Sequence, residues 1–121
     1  MKIVIQGELI DLNKYINAER AHRLKAARLK KQQTDKCAIA FMPIRTKKIK
    51  NQFILNITWF CKNKRIDPDN RAYGVKYILD GMQQVKLIEN DGFNQVKEIH
   101  HYFEIDKDNP RIEVEIKEEK Q

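Results

Sequence analysis

The sequence predicts an α+β fold, a single domain in which a mixed β-sheet packs against two main helices. Three observations predict it. The near-continuous β-branched and aromatic run Gln52 to Cys61 (QFILNITWFC) has the composition of a strand inside a sheet. Two stretches of helical character, Lys14 to about Lys31 and about Arg71 to Val85, are interspersed with strand-like runs. Arg111 to Lys117 (RIEVEIK) alternates cleanly, with Ile112, Val114 and Ile116 facing inward. The order strand, helix, strand, helix, hairpin is that of helices laid on a mixed sheet. At 121 residues the chain can bury a real core, and a dimer would help it stay folded.

Lys2 to Ile10 (KIVIQGELI) reads as the first strand, with Ile3, Ile5 and Leu9 marking the alternation around Gly7. Asp11 and Asn13 make a turn, and either suits the cap of the helix that follows. Between Lys14 and Lys31 no Gly or Pro interrupts a composition rich in Ala, Leu, Arg and Lys. At about 100° per residue, Arg20, Arg23, Lys30 and Lys31 fall within roughly 100° of arc. They form either a ridge that follows a phosphate backbone or an ordinary solvated face. Cys37 to Met42 continues the helix or opens a strand, and Pro43 ends it.

Arg45, Lys47, Lys48 and Lys50 then give a basic loop with no evident folding reason for its charge. The run from Gln52 to Cys61 is apolar enough to be a central strand covered on both faces. Lys62 to Arg65 lead to the corner Asp67-Pro68-Asp69-Asn70, where Pro68 fixes a backbone angle and Asp69 or Asn70 caps the next helix. That helix carries one buried stripe: Val75, Ile78, Leu79, Met82 and Val85. After a loop with a D-G turn, Val96 to Ile105 reads as a strand, and Asp106 to Pro110 turns it into the last one.

Charge divides the chain. Residues 1–65 carry a balance of +12 and residues 66–121 one of −5, within a net charge of +7. A polyanion on the first part and a metal in the second would use that division. No apolar run reaches the roughly 18 residues of a membrane span. Met1 to Ile5 lacks the apolar core of a signal peptide, so a cytoplasmic protein is expected. Cys37 and Cys61, without metal-ligand spacing, read as buried free thiols.

Asp67 and Asp69 flank Pro68 and project the same way in an extended corner, so they can share a hard cation such as Mg²⁺, which asks for oxygen ligands. Asp91 joins them if the chain folds back beside the start of the helix. The simpler reading is a helix cap and a turn, which accounts for one acid and leaves its neighbour over. On a continuous helix Asp69, Tyr73, Lys76 and Asp80 share one face. Lys76 can hold or polarise a scissile phosphate, or pair with Asp80 at i+4. Tyr73 suits packing, while Asn70 and Asp80 suit support. His100 and His101 point to opposite faces of a strand, one packed and one solvated, and His22 reads as surface.

These residues resemble the RusA family of endodeoxyribonucleases, Holliday-junction resolvases often carried by phages. The resemblance rests on a basic lead-in to Asp67-Pro68-Asp69-Asn70, the helix segment Lys76 to Met82 (KYILDGM), Asn90-Asp91-Gly92 and the final NPRIEVEI strand. It spans roughly residues 64–117. It implies a homodimer that binds four-way DNA junctions and uses Mg²⁺, with Mn²⁺ as an alternative, to make paired symmetric nicks. No small-molecule cofactor is implied. Asp67, Asp69 and Asp91 match the family's metal-binding acids and Lys76 its catalytic lysine. Arg20, Arg23, Lys30, Lys31, Arg45, Lys47, Lys48, Lys64 and Arg65 are the expected DNA contacts. The rival expectations are a non-catalytic DNA-binding module and a nuclease of the same fold acting on flaps or other branched DNA.

Overall fold

The computed structural model describes residues 1–119. It contains β1 (Lys2–Gln6), α1 (Leu12–Ala21), α2 (Arg23–Phe41), a 3₁₀ turn at Met42–Ile44, β2 (Phe53–Cys61), α3 (Pro68–Ala72), α4 (Val75–Gln84), β3 (Val96–Ile105) and β4 (Arg111–Glu118). The expected α+β domain with a mixed sheet is present, its strands ordered β1-β4-β2-β3. β1 is shorter than its sequence pattern. Gly7 turns the chain out of the strand at φ +80°, a conformation that costs glycine nothing and other residues much.

The long first helix is broken. Its N-cap is Asp11, whose Oδ2 accepts from the Lys14 amide at 3.4 Å. His22 is extended (φ −162°, ψ 110°), and its Nδ1 accepts from the Lys25 amide at 3.3 Å, so it ends α1 and caps α2. Arg20 and Arg23 consequently stand on different helices, and the single ridge expected from a continuous helix does not form. Cys37 to Phe41 continues α2, which packs on α4 where Gly81 permits close approach. A Cβ at Gly81 would lie 2.8 Å from both the Ala38 nitrogen and the Cys37 Cβ.

β2 is central, antiparallel to β4 and parallel to β3. It is not covered on both faces, however. Phe53, Leu55, Ile57, Trp59 and Cys61 are buried beneath the helices, while Ile54, Asn56, Thr58 and Phe60 on the other face are half-buried. Phe60 there lies under the Arg111 guanidinium, 3.8 Å from its ring centre. The buried row meets Ile112, Val114 and Ile116 of β4 in register. Phe41 of α2 and Tyr77, Ile78 and Met82 of α4 close the core from the helical side. Fully buried side chains of this size each contribute about 1.5–3 kcal/mol.

The expected hairpin of β3 and β4 does not form, because β2 lies between them. The α3–α4 segment makes the crossover that a parallel β2–β3 pair requires. The following turn then passes the end of β2, where the Asp106 amide donates to the Cys61 carbonyl at 2.8 Å, and delivers β4 to β2's other edge. The helix expected from Arg71 to Val85 is likewise two helices. Gly74 sits at the break, where a Cβ would meet the Trp59 ring at 2.9 Å. Among the described residues no helix is long and apolar enough to cross a membrane.

Candidate functional site

β2 delivers the chain to the Asp67–Asn70 corner at one end of the sheet. Asp67, not Asp69 or Asn70, occupies the N-cap position of α3, with Pro68 at the first helical position, where a missing N–H costs nothing. Asp67 is extended (φ −65°, ψ 150°), yet its side chain makes no capping hydrogen bond. Asp69 lies in the first turn of α3. Both residues are exposed, and Asn70 is half-buried. The cap-and-turn explanation thus leaves both carboxylates available for something else.

Lys76 stands in the first turn of α4 with about half its side chain exposed. Its Nζ lies 3.4 Å from Asp80 Oδ1 and 4.0 Å from Asp91 Oδ2. The loop after α4 returns to the first turn of that helix, where Asp91 meets Lys76. Lys76 and Asp80 share a face of α4 as expected, whereas Asp69 belongs to the separate helix α3. Tyr73, at the junction of the two helices, packs as expected: its ring stacks on Tyr15 at 6.0 Å and meets Tyr77 edge-on at 5.8 Å.

The acids do not converge into one set. Among the described residues no three His, Cys, Asp or Glu side chains are grouped as a metal site would group them. In kind the donors fit a hard divalent cation, being carboxylates, two of them exposed on one corner. In place, Asp67 and Asp69 are neighbours, while Asp91 is held by the Lys76 ammonium, itself a cation between two carboxylates.

The expected DNA contacts fall into four groups. Arg23, Lys30 and Lys31 line an open groove of about 490 Å³ with Tyr15, Glu19, Thr34 and Gln84, between α1, α2 and the end of α4. Lys31 is partly engaged by Asp35 at 3.2 Å. Arg20 is exposed at the end of α1, and Lys64 and Arg65 are exposed beside the corner. The loop cations are exposed, and two of them also bond backbone carbonyls. Arg45 Nη1 donates to the Met42 carbonyl at 2.7 Å. Lys48 Nζ donates to the carbonyl of Lys86 at 2.7 Å, where Lys86 takes a left-handed turn at φ 62° after α4. Lys47 remains exposed.

Two functional candidates escaped the sequence reading. Arg71, next to the corner, is 5% exposed and pairs with Glu8 at 3.1 Å. Nothing in the sequence marks Arg71 as buried, and Glu8, in the loop after β1, gives no signal either. The two cysteines are structural. Burial pushes the Cys37 thiol up to about 12 and raises that of Cys61, so both are inert buried thiols, as expected. His101 is half-buried and His100 exposed. No protein-family model matches the chain, and no curated protein matches its sequence.

Proposed function

We propose that the chain is a Mg²⁺-dependent, structure-specific endodeoxyribonuclease of the RusA type, which acts in the cytoplasm as a homodimer and resolves four-way junctions by paired symmetric nicks. The observation that carries this reading is the approach of Asp91 to Lys76. It brings the loop acid back to the start of α4, and a half-exposed pair of this kind adds little to folding.

Asp67 and Asp69 would hold the metal from the corner, and Asp91, which stands beside Lys76 in this structure, would have to move onto them to serve as the third acid. A Mg²⁺ or Mn²⁺ held there would supply an activated water and neutralise charge on the phosphate oxygens. Lys76 offers an ammonium to a phosphate oxygen, and Asp80 keeps that ammonium on the Asp91 side of α4. Asn70 supports the corner from its half-buried position. Arg23, Lys30 and Lys31 in the α1–α2 groove, with Arg20, Lys64 and Arg65, take the backbone phosphates and carry no sequence information.

The test is incubation of a labelled synthetic four-way junction with the protein, with Mg²⁺ or EDTA, beside linear duplex and flap DNA and the Asp69→Asn variant. Paired nicks in the junction that need metal, and that disappear in a variant still able to bind, are the expected result. Preferential cutting of flaps would keep the chemistry and change the substrate. Tight junction binding without cleavage under Mg²⁺ or Mn²⁺ would make the chain a binding module, with Asp67 and Asp69 serving only the turn.

A further inference from the structure

The corner that carries Asp67 and Asp69 is closed at both ends by one side chain from elsewhere in the fold. Glu8 Oε2 accepts from the backbone N–H of Lys62, the first residue after β2, at 3.1 Å. The same oxygen lies 3.1 Å from Nη2 of Arg71 in α3. Glu8 Oε1 stands 3.8 Å from the exposed Lys62 ammonium. Glu8 is itself anchored, because its carbonyl accepts from Lys36 Nζ of α2 at 3.2 Å.

We propose that Glu8 is a positioning residue for the candidate site, its carboxylate tying Lys62 to Arg71 and so setting how the intervening Asp67 and Asp69 are presented. The clamp is a matter of geometry; its consequence for catalysis rests on the nuclease reading. Arg71 makes the clamp hard to replace. Its guanidinium is 5% exposed, and its Nε finds no hydrogen-bond partner among the described residues, so Glu8 supplies the counter-charge that its burial demands. With Glu8 removed, the guanidinium must seek water, and α3 must shift to let it. The residues from Lys62 to Arg71 then regain backbone freedom that folding had removed. Ligand carboxylates depend on such outer contacts for their orientation, and losing one typically weakens metal affinity by about 10- to 100-fold.

The chemistry also separates charge from geometry. Both short contacts use Oε2, so Glu8→Gln keeps them through its amide oxygen, but it removes the charge that balances Arg71 and sets its NH₂ on the side of the Lys62 ammonium. Glu8→Ala removes both, and Glu8→Asp keeps the charge but falls one methylene short. Lys62→Ala loses only the long, exposed contact at 3.8 Å and leaves the backbone N–H in place.

The experiment uses the full chain with these four substitutions and two readouts: amide hydrogen exchange across residues 62–71, and the Mg²⁺ concentration giving half-maximal junction cleavage. Glu8→Ala is expected to speed exchange in that segment and to raise the Mg²⁺ requirement about 10- to 100-fold, with junction binding in EDTA unchanged. Lys62→Ala should stay close to wild type, whereas Glu8→Gln, which keeps both short contacts but not the counter-charge of Arg71, should fall between wild type and Glu8→Ala in both readouts. If Glu8→Ala fails to fold, Glu8→Asp should show the same two effects in a folded protein. Unchanged exchange would overturn the clamp. Faster exchange with an unaltered Mg²⁺ requirement would overturn the positioning role. A wild-type protein that cleaves no branched DNA removes the nuclease reading and Glu8's part in it, whereas a cleaving protein indifferent to Glu8 overturns this proposal alone.

Discussion

Lys76 and Asp91 meet at 4.0 Å across the length of α4 and its following loop, with Asp80 a further 3.4 Å from the same ammonium. The pair is too exposed to matter much for stability, where such contacts contribute about 0–1 kcal/mol. If the ammonium serves a phosphate instead, Lys76→Ala and Asp91→Asn should each lower junction cleavage by about 10²–10³-fold. The midpoint of urea unfolding should barely move in either. Equal losses of stability and activity would return the pair to a structural role.

Gly81 is where α2 and α4 come closest. An alanine there gains about 1 kcal/mol of helix propensity. Its Cβ, however, would stand 2.8 Å from the Ala38 nitrogen and from the Cys37 Cβ, and helix backbone does not yield as a flexible side chain would. Overpacking of this kind costs about 1–3 kcal/mol, so the clash wins. Urea unfolding of Gly81→Ala should show net destabilisation; a more stable variant would mean that the helices separate at little cost.

What the sequence disclosed follows from how local each signal was. The buried stripe of α4 and the alternation of β4 are periodic, and both elements stand where their periods put them. His22 was unreadable as a break, since it is neither Gly nor Pro and acts only because its Nδ1 reaches the Lys25 amide. The strand order failed for a related reason. A short turn between β3 and β4 suggests a hairpin, and nothing in that turn reveals that β2 already occupies the place between them. At the site, Pro68 and its flanking acids marked the corner. The partners that hold it were invisible, because Glu8 and Arg71 are neighbours only in space.

The groove between α1 and α2 makes a quantitative claim about DNA. Each lysine or arginine that neutralises a phosphate of duplex DNA steepens the dependence of log affinity on log salt by about 0.9. Arg23→Ala and Lys30→Ala should therefore each weaken junction binding and reduce the salt slope by about one. Lys31→Ala should do less, since Asp35 already holds that ammonium at 3.2 Å. Titrations at several salt concentrations in EDTA check this without any cleavage. A slope unchanged by Arg23→Ala would move the DNA path away from the groove.

His101 gives a pH dependence whose sign the structure sets. Its Nδ1 accepts from Trp59 Nε1–H at 2.9 Å, and its ring stacks on the same indole at 5.9 Å. Burial, and secondarily the neighbouring charge of His100, hold its pKa below the ordinary value. The unfolded chain therefore takes up a proton near pH 6.5 while the folded protein still resists it. Stability should be full above about pH 6.5 and should decline as pH falls from there to the depressed folded value. Protonation of Nδ1 also breaks the bond from Trp59. Trp59 is the only tryptophan, so its fluorescence follows the transition directly. Urea midpoints at pH 7.5 and pH 5 should differ more for wild type than for His101→Phe, which keeps the stack and cannot titrate. Equal pH responses in the two proteins would remove His101 as the cause.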